Sequence, residues 1–366
     1  MPAPLHTALA VAAFVAGAVL VLAIVGSALR TVVLPRGVSV RLGRAVAITL
    51  RLLFKLLIRP STSYERRDRL LASYAPFLLM GLLTTWIAGV IVGFTAMLWS
   101  VGVHPLRAAF MESLSSIVTL GYFVPHDLPG TMLTFAEAAL GLFLLALLIT
   151  FLPTMYGLFH TREQGVAGLE TKAGSPPSAS NLILRLHRLE RLDYRREIWT
   201  EWERWFAVVE LSHTQYPTLP FFRSPQPEQS WITAAGAVLD AASLSASCLD
   251  EPRDIEAELC IRAGYVALRR IATLFRLPHD ANPRPDDPIA VTKLEFDEVW
   301  DEMAAAGVRL KPDREQAWKD FAGWRVNYDT VLIRLATLTE APIAPWSSDR
   351  GLVGERPLTF IERIRQ

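Results

Sequence analysis

The sequence predicts an all-α protein with a membrane half and a soluble helical half. Three observations carry this. First, 51% of the 366 residues are hydrophobic and mean hydropathy is +0.28, with the excess concentrated in the first 160 residues. Second, that half holds three apolar runs, at about 8–29, 74–99 and 132–156. Each is long enough for a bilayer, which needs ~20 apolar residues. Third, beyond position 181 apolar residues recur at helical spacing between Pro-rich breaks. A net charge of +1 implies no overall attraction to nucleic acid, and none is expected as a partner. The only two cysteines, Cys248 and Cys260, lack Cys-x-x-Cys spacing. They read as buried thiols of a reducing cytoplasm, not as a zinc site or a disulfide framework.

The first run defines segment 1–30. No Lys or Arg precedes Arg30, so it reads as a retained anchor with its N-terminus outside, not as a cleaved signal peptide. Segment 31–69 differs sharply. From Arg30 to Arg69 ten positive charges face only Glu65 and Asp68, which places this connection in the cytoplasm. Within it, Val38–Ile58 separates Arg44, Arg51 and Lys55 from Val46, Leu50, Leu53, Phe54 and Leu57 at helical spacing. Such a helix suits the headgroup plane, with its bases on anionic lipid. The alternative is a further span with snorkelling bases, which would invert the N-terminus.

Segment 70–160 contains the other two runs. Nothing charged lies between Leu70 and Pro105, and the helix expected at about Tyr74–Trp99 has Pro76 in its first turn, where proline costs little. Trp99 sits at its outer end, as interface tryptophans do. His104-Pro105 opens a segment, Leu106–Ser116, too short to span. Ser115-Ser116-Ile117-Val118-Thr119-Leu120-Gly121-Tyr122-Phe123 follows, and within ten residues of it the third run begins. Between positions 100 and 130 Arg107 is the sole Lys or Arg, which puts this connection outside.

A Thr-x-Gly-Tyr stretch behind a short helix, held between two spans, resembles the pore loop of the tetrameric potassium-channel superfamily. Thr119, Gly121 and Tyr122 match that filter, Leu120 replaces Val, and Phe123 stands where Gly is expected. The third run, with Glu137 and Gly141, resembles the inner helix of two-span bacterial potassium channels. The resemblance implies three transmembrane helices with a re-entrant pore helix and filter, plus a cytoplasmic helical domain. It implies a homotetramer in the plasma membrane, since each chain carries one loop. Backbone carbonyls of Thr119, Leu120, Gly121, Tyr122 and Phe123 would replace the hydration of K⁺ or another monovalent cation. Ser115, Ser116, Val118 and Glu137 would support the filter, with the Tyr122 ring bracing the loop against the pore helix. A positive φ is costly for a bulky residue, so Phe123 implies either a rebuilt outer turn or a lost outer ion site. The sequence also lacks the family's Asp after the filter, and Val118 replaces its second Thr.

Further along, Glu137 is the only charge of the third run and is either buried behind the filter or solvated near the outer surface. Gly141 is either a gating bend or a packing glycine. Pro153 is expected to kink the cytoplasmic end, making Thr150, Pro153 and Thr154 candidates for an inner gate. No catalytic residues and no cofactor are expected. The alternative function is a non-conducting or weakly selective membrane scaffold, with Phe123 having broken the filter.

Residues 161–180, with Gly165, Gly168, Gly174 and Ser-Pro-Pro-Ser-Ala-Ser, read as a flexible linker. Segment 181–366 reads as the helical domain. It carries Ile198, Trp202, Trp205 and Val209 at helical spacing, then amphipathic stretches at about 230–247, 254–275, 293–306 and 313–338. It contains no nucleotide fingerprint and no calcium loop, so its regulator is not specified. Glu210, His213 and Tyr216 could hold a metal or ligand, or could satisfy buried backbone where a helix meets Pro217; no metal is expected there.

Overall fold

A computed structural model describes residues 3–32, 41–57, 64–123, 125 and 127–351. The expectations for positions 38–40, 58, 124 and 126 lie outside these. The described structure is all-helical, 75% helix with no strand. Four helical stretches are long and apolar enough to cross a membrane: Thr7–Val32, Arg66–Ser100, Leu128–Ala173 and Trp231–Cys248. The chain divides into two compact units, Met1–Gly157 and Leu158–Gln366.

In the first unit α1 (Ala3–Val32) packs along α4 (Tyr74–Ser100). The contact is set by glycines. A Cβ on Gly17 would lie 2.5 Å from the Gly93 carbonyl oxygen, one on Gly93 2.6 Å from Val21 Cγ2, and one on Gly89 2.7 Å from Ile24 Cδ1. Small residues spaced by four let two apolar helices approach until van der Waals contact replaces the missing hydrophobic drive. Trp86 Nε1 adds a hydrogen bond to Ser27 Oγ at 3.3 Å.

The basic stretch forms α2 (Arg41–Leu57) and α3 (Tyr64–Ala72). The apolar face expected of α2 divides in two. Phe54 is buried against Tyr74 and Phe77, Val46 meets Gly81, and Tyr74 Oη donates to the Ala47 carbonyl. Leu53 and Leu57, expected on the same face, are instead exposed with Leu52 and Leu56. The α5 helix (Leu106–Ile117) also packs on α4, and α6 (Leu128–Ala173) follows it.

The linker expected at 161–180 is a correction. Helix α6 runs through position 173 without a break, and α7 (Ala179–Arg188) starts after one turn, capped by the Ser178 side chain on the Asn181 amide. Gly165 serves contact, not flexibility: a Cβ there would lie 2.6 Å from Trp205 Cδ1. Trp205 Nε1 donates to the Arg162 carbonyl at 3.0 Å. The second unit therefore begins at Leu158, inside α6, and not at 181.

That unit is built around α9 (Trp231–Cys248), of which all residues but Ala246 are buried. Around it stand α7, α8 (Arg195–Gln215), α10 (Ile255–Leu274), α12 (Arg314–Arg325) and α13 (Asp329–Thr339), with α11 (Lys293–Ala305) against α7. Ile198, Trp202, Trp205 and Val209 all turn into this core. Local signals place the helix starts. Asp254 caps α10 on the Ala257 amide, Thr292 and Glu295 form a capping box on α11, and Asp313 caps α12 on the Gln316 amide. The stretch expected as one helix over 313–338 is two. Asn327 Nδ2 donates to the Gly323 and Trp324 carbonyls and ends α12.

Candidate functional site

Helix α5 has 12 residues, ~18 Å of rise, against a hydrocarbon thickness of ~30 Å. It buries Ala109, Glu112, Ser113, Ser115 and Ile117. Its C-terminal turn runs into the Thr119–Phe123 stretch through two backbone bonds: the Thr119 amide donates to Ser116 O and the Leu120 amide to Ser115 O, both at 2.8 Å. The Ser115 hydroxyl then accepts from the Tyr122 amide at 2.9 Å. Left-handed backbone falls on Thr119 (φ 55°) and Gly121 (φ 67°). Phe123 does not adopt it.

The same turn is tied to α6. Ser116 Oγ donates to the Thr134 carbonyl at 2.6 Å. Ser113 Oγ lies 2.6 Å from Glu137 Oε1 and 3.2 Å from the Ile91 carbonyl of α4. Glu137 is fully buried, not solvated near a surface. Gly141 sits directly against the α5 terminus: a Cβ there would lie 2.2 Å from Ile117 O. Ser115, Ser116, Glu137 and Gly141 are thus gathered around one end of α5.

Other expected residues are not gathered there. Val118, Leu120 and Tyr122 are exposed. The Tyr122 ring, expected to brace against α5, does not pack on it. It is 79% exposed and meets Phe123 edge-on at 5.2 Å. Thr150, Pro153 and Thr154 lie further down α6 and are exposed. The Thr150 hydroxyl donates back to Leu147 O at 2.9 Å and Thr154 to Thr150 O at 2.9 Å, bonds that bend helices next to a proline. Sequence reasoning missed Glu112 and Ser113. Glu112 is the one acidic residue of a short, mostly apolar helix beside a span, which is itself a signal.

In the second unit Glu210, His213 and Tyr216 do not converge. Glu210 pairs with Arg270, and Tyr216 Oη accepts from Gln215 at 3.4 Å. His213 is buried between Arg162 at 3.3 Å and Ser212 Oγ at 3.1 Å. Burial, and then the Arg162 charge, hold its imidazole well below the ordinary histidine range. Arg162 also donates to the carbonyls of Leu219 and Phe222 at 3.0 and 2.7 Å and pairs with Glu163. Across α9, Arg325 is enclosed by Asp240, Asp329 and the Trp346 carbonyl, and Tyr328 Oη donates to Asp240 at 2.8 Å. Both cysteines are buried, and burial pushes the Cys248 thiol up to about 12. Among the described residues no group of three or more His, Cys, Asp and Glu could hold a metal ion.

No family model matches the chain, and neither a curated protein nor a solved structure matches it.

Proposed function

We propose that four copies of this chain form a cation channel, with K⁺ the favoured ion, whose filter is Thr119–Phe123 and whose second unit assembles or gates it. One observation carries the reading. A helix too short to span, α5, leads into a non-helical stretch with left-handed backbone at Thr119 and Gly121, and membrane-length helices stand on either side. Irregular backbone at membrane depth is tolerated where protein buries it or where it lines water. The exposed Val118, Leu120 and Tyr122 then meet the neighbouring copies, and carbonyls replace ion hydration.

Three spans, α1, α4 and the first part of α6, fit this reading. Helix α9 is also apolar, but 94% of its window is buried by its own unit, so it has no face for lipid. The charge asymmetry orients the protein in the plasma membrane with the N-terminus and filter mouth outside and the second unit in the cytoplasm. Helix α2 lies in the headgroup plane, with Leu52, Leu53, Leu56 and Leu57 toward the acyl chains and Arg44 and Arg51 on anionic lipid. Thr150, Pro153 and Thr154 form the inner gate.

A second reading has its own observation. Phe123 occupies the outer end of the filter with its ring on Tyr122, as a sealed loop in a membrane scaffold would. Replacing Phe123 with Gly separates the two. In a conducting tetramer Phe123→Gly raises K⁺ over Na⁺ selectivity. If neither form conducts although both assemble, the scaffold reading stands.

A further inference from the structure

We infer that Glu137 is a neutral carboxylic acid and a hydrogen-bond donor, the first link of a chain that runs through Ser113 to the Ile91 carbonyl and positions α5 behind the pore loop. Proton counting carries this. A serine hydroxyl has one hydrogen and a backbone carbonyl only accepts. Ser113 Oγ contacts the Ile91 carbonyl at 3.2 Å and Glu137 Oε1 at 2.6 Å. One hydrogen cannot serve two acceptors at full strength, so both contacts are two-centre hydrogen bonds only if Ser113 donates to Ile91 and Glu137 donates to Ser113. Glu137 must then carry the second hydrogen.

The surroundings agree. Glu137 is fully buried, and its Oε2 has no protein partner among the described residues. An ionised carboxylate there would be a buried charge with one bare oxygen, whereas a neutral acid leaves only a carbonyl. Of the helices packed on it, α4 carries no Lys, Arg, Asp or Glu, and α5 carries exposed Arg107 and buried Glu112. On α6 no other acidic or basic residue occurs before His160.

The chain links α6, α5 and α4 two residues before Ser115, whose hydroxyl holds the Tyr122 amide. Ionisation of Glu137 would turn the Ser113 hydrogen to the carboxylate and release Ile91. Only the placing of α5 behind a pore loop rests on the channel reading; the protonation state does not.

The test is isotope-edited infrared spectroscopy of the full chain, labelled at glutamate and reconstituted in lipid near neutral pH. A protonated-carboxyl C=O band is expected in the wild type, retained in Glu112→Gln and lost in Glu137→Gln. Ser113→Ala is expected to shift that band as the acid loses its acceptor. Glu137→Gln, which keeps a donor, should unfold near the wild-type temperature, and Glu137→Leu well below it. Coincident wild-type and Glu137→Gln spectra in this region would overturn the inference. A chain that shows the band yet passes no ions would overturn the channel reading and leave this one standing.

Discussion

At position 141 a methyl group would collide with the Ile117 carbonyl at 2.2 Å, so the side chain that fits there is a hydrogen. Glycine within a helix normally costs ~1 kcal/mol relative to alanine, so Gly141→Ala should stabilise an unconstrained helix. Here it is expected to destabilise the protein by about 1–3 kcal/mol through overpacking of α5 on α6. Thermal unfolding in detergent reads the sign directly, and a raised midpoint would mean that Gly141 does not seat α5. His213 makes a second residue-scale prediction. Its folded-state affinity for protons is depressed, while the unfolded imidazole titrates near ~6.5. Below that pH the unfolded chain binds more protons, so stability is full above ~6.5 and falls as pH drops toward the folded value. His213→Gln is expected to flatten unfolding midpoints measured between about pH 8 and about pH 5, and an unchanged slope would assign the acid sensitivity elsewhere. At the third site, Asp240→Ala strands the Arg325 guanidinium in the core. Burial opposes that charge, but Asp240 and Asp329 outweigh it and push the group above its ordinary range. The expected loss is about 3–5 kcal/mol, read from urea unfolding midpoints, because a buried charge is left half-compensated.

Among elements, legibility follows the physics of the signal. Helices α8, α9, α10 and α11 are readable in sequence because periodicity marks them, and at Asp254 and Thr292 a capping residue agrees with it. Helix α5 is readable from its length and from His104-Pro105 in front of it. The 161–180 region is not, because glycine is an ambiguous letter. Gly165 looks like a hinge in sequence and is a contact with Trp205 in space, which no local pattern reveals. The split between α12 and α13 escapes for a similar reason: it depends on the Asn327 side chain turning back onto the α12 carbonyls. The α1–α4 glycines have the readable spacing Gly89-x-x-x-Gly93, but their partner Gly17 lies far away in sequence. Gly93→Leu places a side chain where Val21 and the Gly17 carbonyl already sit. It is expected to abolish folded, monodisperse protein in detergent, whereas full recovery would mean that α1 does not pack there.

Over the whole molecule, two features of composition are informative and one misleads. The apolar excess marks the half that carries the membrane-length helices α1, α4 and α6, and the proposed orientation rests on ten basic charges against Arg107 alone. Apolar composition by itself would also count α9 as a span, yet α9 is the enclosed axis of the second unit. The proposed four-fold assembly would have to cover apolar side chains that one chain leaves exposed, Val118 and Leu120 in the loop and Met132, Phe135, Leu142 and Ile149 on α6. The most direct measurement is ion flux from liposomes holding the purified full chain, under opposed K⁺ and Na⁺ gradients, with Ba²⁺ as a K⁺-sized divalent blocker. A K⁺ flux well above that of protein-free liposomes and abolished by Ba²⁺ is expected; no Ba²⁺-sensitive cation flux from assembled protein would contradict the filter assigned to Thr119–Phe123.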